Sequence, residues 1–95
     1  MLSLIVAMAL QAASPAEAEN RAYVFYVAGV CKAKFDTKEA DYWRTELGKL
    51  KPRNKAEAAA FDLAWQQGER ERLNFTPMQC RRALSEAFWS LSNAA

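Results

Sequence analysis

Tyr23-Val-Phe-Tyr-Val-Ala-Gly-Val-Cys31 is the stretch whose reading decides the fold. It is apolar throughout and rich in β-branched and aromatic residues, the composition of a buried strand. Two observations favour a helix instead. Nothing else in the chain has the alternation or turn signals of a strand, so a lone strand here would have no partner. The preceding Ala-Glu-Ala-Glu-Asn-Arg-Ala is rich in helix formers. A helix that is apolar on all sides belongs in the middle of a bundle. Gly29 would let a neighbour approach its backbone closely.

The remainder reads as helices separated by short breaks. Glycine and proline are scarce, three of each, and no Asn-Gly or Asp-Gly hairpin turn is present. The last helix has the clearest pattern. Thr76-Pro-Met-Gln79 combines a cap, a proline suited to the first helical position and a glutamine that completes a capping box. Cys80, Ala83, Leu84, Ala87, Phe88 and Leu91 then fall on one stripe of helical period, with Arg81, Arg82, Ser85 and Glu86 on the other side. Asn54-Lys-Ala-Glu57 opens another helix over about 55–73 by the same logic, with Ala58, Phe61, Ala64, Trp65 and Gly68 inward. Gly68 costs about 1 kcal/mol against alanine in a helix interior, and it marks either close helix packing or a bend. Asp36-Thr-Lys-Glu39 opens a third helix to about residue 50, with Ala40, Trp43, Leu47 and Leu50 inward and Pro52 as the stop. The fold expected is all-α: a small three- to four-helix bundle with one disulfide, after an N-terminal signal peptide.

Residues 1–18 carry the signature of export. Leu2-Ser-Leu-Ile-Val-Ala-Met-Ala-Leu10 is a nine-residue run broken by one serine, followed by small residues and an A-x-A site at Ala16-Glu-Ala18. As a helix the run covers only about 14 Å, half of a bilayer core, so no stable membrane anchor is expected after cleavage. No lysine or arginine precedes it. The positive end of the signal is therefore the α-amino group alone, or it lies upstream of Met1. Residues 19–95 then form a single helical domain, periplasmic or secreted. A domain of that size is near the limit of what one hydrophobic core can hold, and a staple is expected. The chain has two cysteines, Cys31 and Cys80, so export implies one possible bridge; the alternatives are two buried free thiols or a redox pair, and the lack of a C-x-x-C motif speaks against the last. Closing a loop of about 50 residues stabilises by roughly 4 kcal/mol in the chain-entropy account. In the helical reading Cys31 sits in the last turn of the first helix and Cys80 in the first turn of the last. They meet readily if those helices pack antiparallel.

Composition also excludes chemistry. With 13 basic and 11 acidic residues interspersed, the formal net charge is +2, and no nucleic-acid stripe forms. There is no histidine, which removes the commonest general base and zinc ligand. No phosphate-binding glycine loop, nucleophile elbow or haem attachment motif occurs. No cofactor, metal or catalytic residue is expected. The nearest carboxylate pairs, Asp36 with Glu39 and Glu69 with Glu71, sit in mixed-charge segments, where capping and solvation outweigh acid–base work.

Of the three tryptophans, Trp43 and Trp65 lie on inward faces and read as core. Trp89 lies about 100° round from Phe88, at the edge of the stripe, where core and contact surface are evenly balanced. Arg70, Arg72, Arg81 and Arg82 flank the break before the last helix. Their interleaved glutamates make a solvated face the better reading, with a basic patch for anionic partners the other. Trp89, Arg81 and Arg82 are the candidate partner contacts.

Cys31, the Trp43-Arg44 pair, Trp65-Gln-Gln-Gly68-Glu-Arg70, and Thr76 close to Cys80 together resemble a family of small exported disulfide-bonded helical proteins of alphaproteobacteria that carries no assigned function. That resemblance, over about residues 23–91, implies export, a disulfide and a bundle, and no activity. In size, cysteine count and cysteine spacing the chain is also similar to HdeA-type periplasmic acid-stress chaperones. The function expected is a non-enzymatic periplasmic protein that binds another envelope protein or itself: a stress chaperone, an accessory subunit or an immunity-type inhibitor. The alternative is a small carboxylate-dependent hydrolase of envelope polymers, which would need a close carboxylate pair in an apolar cleft. Expressed in a Gram-negative host, the chain should appear in the periplasm beginning at Glu19, as read by N-terminal sequencing. Full-length protein retained in the cytosol would contradict export.

Overall fold

The computed structural model describes residues 15–71 and 73–93. The predicted signal segment lies almost wholly outside them, and the predicted cleavage point after Ala18 falls inside the first helix. The described residues form four helices and no strand: α1 (Pro15–Val30), α2 (Thr37–Gly48), α3 (Lys55–Glu71) and α4 (Pro77–Asn93).

The 23–31 stretch is helical to Val30, and the amide of Cys31 still donates to the Val27 carbonyl at 3.0 Å. As its all-round apolarity requires, α1 is central. Val24, Val27, Ala28, Val30 and Cys31 are buried, while Tyr23 forms its exposed edge. Along α3 it runs parallel in steps of one helical turn. Arg21 meets Glu57, the Phe25 ring stacks on Phe61 at 4.3 Å, Gly29 lies against Trp65, and Lys32 reaches Glu69. Along α4 it runs antiparallel. Cys31 is bonded to Cys80 at one end with Cα atoms 5.7 Å apart, and Asn20 and Tyr23 border the same hollow as Glu86 and Ser90 at the other.

Glycine makes the α1–α3 contact possible. A Cβ on Gly29 would overlap the Trp65 carbonyl oxygen and come within 3.2 Å of the Glu69 amide. A Cβ on Gly68 would overlap the Tyr26 carbonyl oxygen and lie 2.8 Å from the Val30 amide nitrogen. These obstacles are backbone atoms inside helices, which cannot swing aside as a side chain can. Gly68 therefore marks close packing and not a bend. Gly48 has open space around it and serves no such contact.

The caps form as the motifs require, with two differences. Thr76 and Gln79 make both halves of the box: the Gln79 amide donates to Thr76 Oγ1 at 3.1 Å and the Thr76 amide to Gln79 Oε1 at 2.8 Å. Asp36 and Asn54 accept from the amides of Glu39 and Glu57, each at 2.8 Å. The returning glutamates go elsewhere. Glu57 accepts from the Arg53 amide at 2.9 Å, and Glu39 turns towards α4. Two ends also fall short of expectation. α2 stops at Gly48, four residues before Pro52, because the amides of Lys49 and Leu50 already bond to Glu46 and Leu47 in a tighter final turn. α3 stops at Glu71, and Leu73 lies outside the helix, exposed, with its carbonyl accepting from the Phe75 amide at 3.0 Å.

The glycine contact predicts substitutions of opposite sign. Gly29→Ala and Gly68→Ala should each lower stability by about 1–3 kcal/mol, the cost of overpacking. At about 4–8 °C per kcal/mol this is readable by thermal melting. Gly48→Ala should leave stability unchanged or raise it by up to about 1 kcal/mol.

Candidate functional site

Phe25 of α1 and Trp65 of α3 face the side of the pair where α2 lies. Trp43 is the wedge. It is buried, with Phe35 and Phe88 stacked on it at 6.3 and 5.8 Å and Tyr42 edge-on at 4.9 Å. Its indole Nε1 donates to Glu39 Oε2 at 3.4 Å, and Arg81 clamps both oxygens of Glu39 at 2.6 and 2.7 Å. The N-terminal half of α2 is thus pinned to α4.

The C-terminal half of α2 stands off from α1 and α3. A cleft of about 340 Å³ opens between them, walled by Phe25, Ala28, Trp43, Leu47 and Trp65 with Leu84 of α4 at its base. It shares Phe25, Leu47 and Asp62 with a shallower groove that reaches Leu50, Pro52 and Phe61. The volume is that of a small-ligand or side-chain pocket, and the lining is aromatic and aliphatic. Lys32, Arg44 and Asp62 are its charged groups. Lys32 is paired with Glu69 at 2.7 Å and Arg44 with Asp41 at 2.8 Å, so their charges are largely spent locally. Such a cleft can desolvate an apolar group.

The carboxylates named from the sequence do not converge on it. Asp36 caps α2, Glu39 serves Arg81 and Trp43, Glu69 serves Lys32, and Glu71 accepts from the Tyr26 hydroxyl and from Gln67. Glu71 pushes the Tyr26 phenol up to about 12. The Arg81 guanidinium holds Glu39 below the usual carboxylate range, and Arg81 is raised in turn. Asp62 is the one carboxylate lining the cleft among the described residues.

Trp89, Arg81 and Arg82 do not form one patch. Arg81 is committed to Glu39 on the α2 side, which removes it from any basic surface with Arg82. Arg82 and Trp89 are on the solvent face of α4, Trp89 with 67 % of its surface exposed. Trp65 and Trp43 line the cleft as well as the core. Arg72 lies outside the described residues.

Sequence reading missed the polar hub that closes the far end of the groove. Arg21, the one basic residue of α1, donates to both oxygens of Glu57 (3.3 and 3.1 Å) and to the Lys51 carbonyl at 2.6 Å. Arg53 adds its own guanidinium at 2.9 Å. Glu57 keeps only 9 % of its side chain exposed, and Arg53, then Arg21, hold its carboxyl down to about 2. A lone arginine just before the apolar 23–31 run was the available signal, but its partner is far away in sequence.

No protein-family model, curated protein or solved structure matches the chain.

Glu57 gives a pH prediction with a definite sign. Its carboxyl lies near 2 in the fold and near its ordinary 4.5 unfolded, so its stabilisation is present above about pH 4.5 and is lost as the pH falls towards about 2. Glu57→Gln should cost about 1.5–3 kcal/mol at neutral pH and flatten that part of the profile. Thermal melts between about pH 2 and pH 7 check both.

Proposed function

We propose that this chain is a non-enzymatic protein of the periplasm or extracellular space that works by binding another protein. The cleft between α1, α2 and α3 takes an apolar anchor from the partner. The observation that carries the reading is the cleft itself: an open aromatic pocket in a domain otherwise small enough to need a disulfide. Binding energy in protein interfaces concentrates where an apolar side chain fills a desolvated pocket, and Trp43, Trp65, Phe25 and Leu47 offer such a pocket. The paired charges at its rim suit a partner of mixed charge in preference to a polyanion such as nucleic acid. No described helix is long and apolar enough to cross a membrane. The role would be that of a stress chaperone, an accessory subunit or an immunity-type inhibitor. Export rests on residues 1–18 and on the cysteine pair that an oxidising compartment would bridge. The hydrolase alternative lacks its carboxylate pair at the cleft among the described residues.

Tagged protein recovered from a periplasmic extract, analysed by quantitative mass spectrometry, tests the reading. Leu47→Glu places a charge in the cleft wall, while Leu63→Glu alters an exposed leucine on α3 that does not line it. A partner enriched by wild type should be kept by Leu63→Glu and lost by about tenfold or more with Leu47→Glu. Leu47 also packs against the core, so the variant is compared at a temperature where circular dichroism shows it fully folded. Equal capture by both variants overturns the cleft as the binding site.

A further inference from the structure

The outer face of α4 carries a second feature, separate from the cleft. Met78, Arg82, Ser85 and Trp89 recur at spacings of four, three and four, which at 100° per residue places them within about 60° of one another. All four are exposed, and Met78 and Trp89 each present 67 % of their surface. Glu86 flanks the stripe and is also exposed. Neither Arg82 nor Glu86 has a hydrogen bond or ion pair among the described residues. Two large apolar side chains therefore stand about 16 Å apart along one helix face, with a cation and an anion between them that find no match among the described residues.

That pattern is complementary to itself under a two-fold axis. Laid antiparallel on a second copy, with the axis passing midway between Arg82 and Glu86 along the helix, Met78 faces the partner copy's Trp89, and Trp89 faces its Met78. In the same register Arg82 faces Glu86 of the partner subunit, and the reciprocal pair forms with no further adjustment. Parallel alignment would instead set Arg82 against Arg82 and Glu86 against Glu86. We propose that the solvent face of α4 is a self-association surface, occupied by the same face of a second copy in antiparallel register. A thioether against an indole is a favourable contact, and an isologous interface needs this kind of internal complementarity.

The area sets the strength. A 17-residue helix is about 25 Å long, and a strip about 10 Å wide covers roughly 250 Å² per copy. A standard stable interface covers roughly 800 Å² per partner. The dimer is accordingly weak and reversible, populated at high local concentration.

Sedimentation equilibrium of the purified, oxidised protein from about 10 μM to 1 mM is the test, with thermal melting beside it. Wild type should move reversibly from monomer towards dimer. Trp89→Ala should weaken association by about a hundredfold or more, because the residue enters the interface twice. Its melting temperature should fall much less than that of Leu84→Ala, whose side chain is fully buried in the core. Arg82→Glu alone and Glu86→Arg alone each replace two opposite-charge pairs by two like-charge pairs, and each should weaken the dimer by about tenfold or more. Mixed together, those two single variants should form a heterodimer at least as tight as wild type, since every facing pair is again opposite in sign. Leu47→Glu should leave the dimer intact, which separates this surface from the cleft. A wild type that stays monomeric throughout, or a dimer indifferent to Trp89→Ala and to both charge reversals, overturns the proposal.

Discussion

The fold depends on one contact, the crossing of α1 and α3 at Gly29 and Gly68. Each glycine faces the backbone of the other helix, and neither site has room for a methyl group. The approach has two consequences. It brings dispersion contacts between backbones that larger residues would hold apart. It also sets the register of the whole α1–α3 face, since Arg21, Phe25 and Lys32 meet Glu57, Phe61 and Glu69 one turn apart on either side of it. The disulfide then fixes α4 to the end of α1, and the central helix gains a neighbour on each flank.

α2 is attached differently. It has little direct contact with the α1–α3 pair and is held through side chains. Trp43 is packed between Phe35 and Phe88, and the Arg81–Glu39–Trp43 chain of hydrogen bonds ties it to α4. A large indole used as a spacer keeps two helices apart where a smaller residue would let them close. The cleft is the space this leaves, and its walls are the same aromatic residues that hold α2 in place. Core and candidate site are therefore one set of side chains.

The distribution of charge follows the same division. At the far end of the groove the nearly buried Glu57 carboxylate is held by Arg21 from within and by the more exposed Arg53 from outside, so the buried acid is not left desolvated and alone. At the cleft mouth the cations are paired with nearby acids on the surface, where such pairs contribute little to stability. Along α4 the charges of Arg82 and Glu86 are left without intramolecular partners among the described residues.

Local sequence determined the elements. The apolar period of Cys80, Leu84, Ala87 and Leu91, the caps at Asp36, Asn54 and Thr76, and the absence of any strand partner for residues 23–31 each follow from neighbours within a turn or two. The pairing of two cysteines followed from there being only two. Tertiary structure decided the rest. Gly68 is equally suited to a bend or to a crossing, and only the presence of α1 against it resolves the choice. α2 and α3 end earlier than Pro52 and Leu73 suggested, because turn hydrogen bonds and the path of the chain act before the residue that forbids continuation. Trp89 and Trp43 have the same chemistry, and what separates an exposed indole from a buried wedge is where the neighbouring helix lies. Arg21 and Glu57 find each other for the same reason. Residue type and period act over a few residues, whereas the meeting of two surfaces depends on the shape of both, and that shape exists only once the helices have packed.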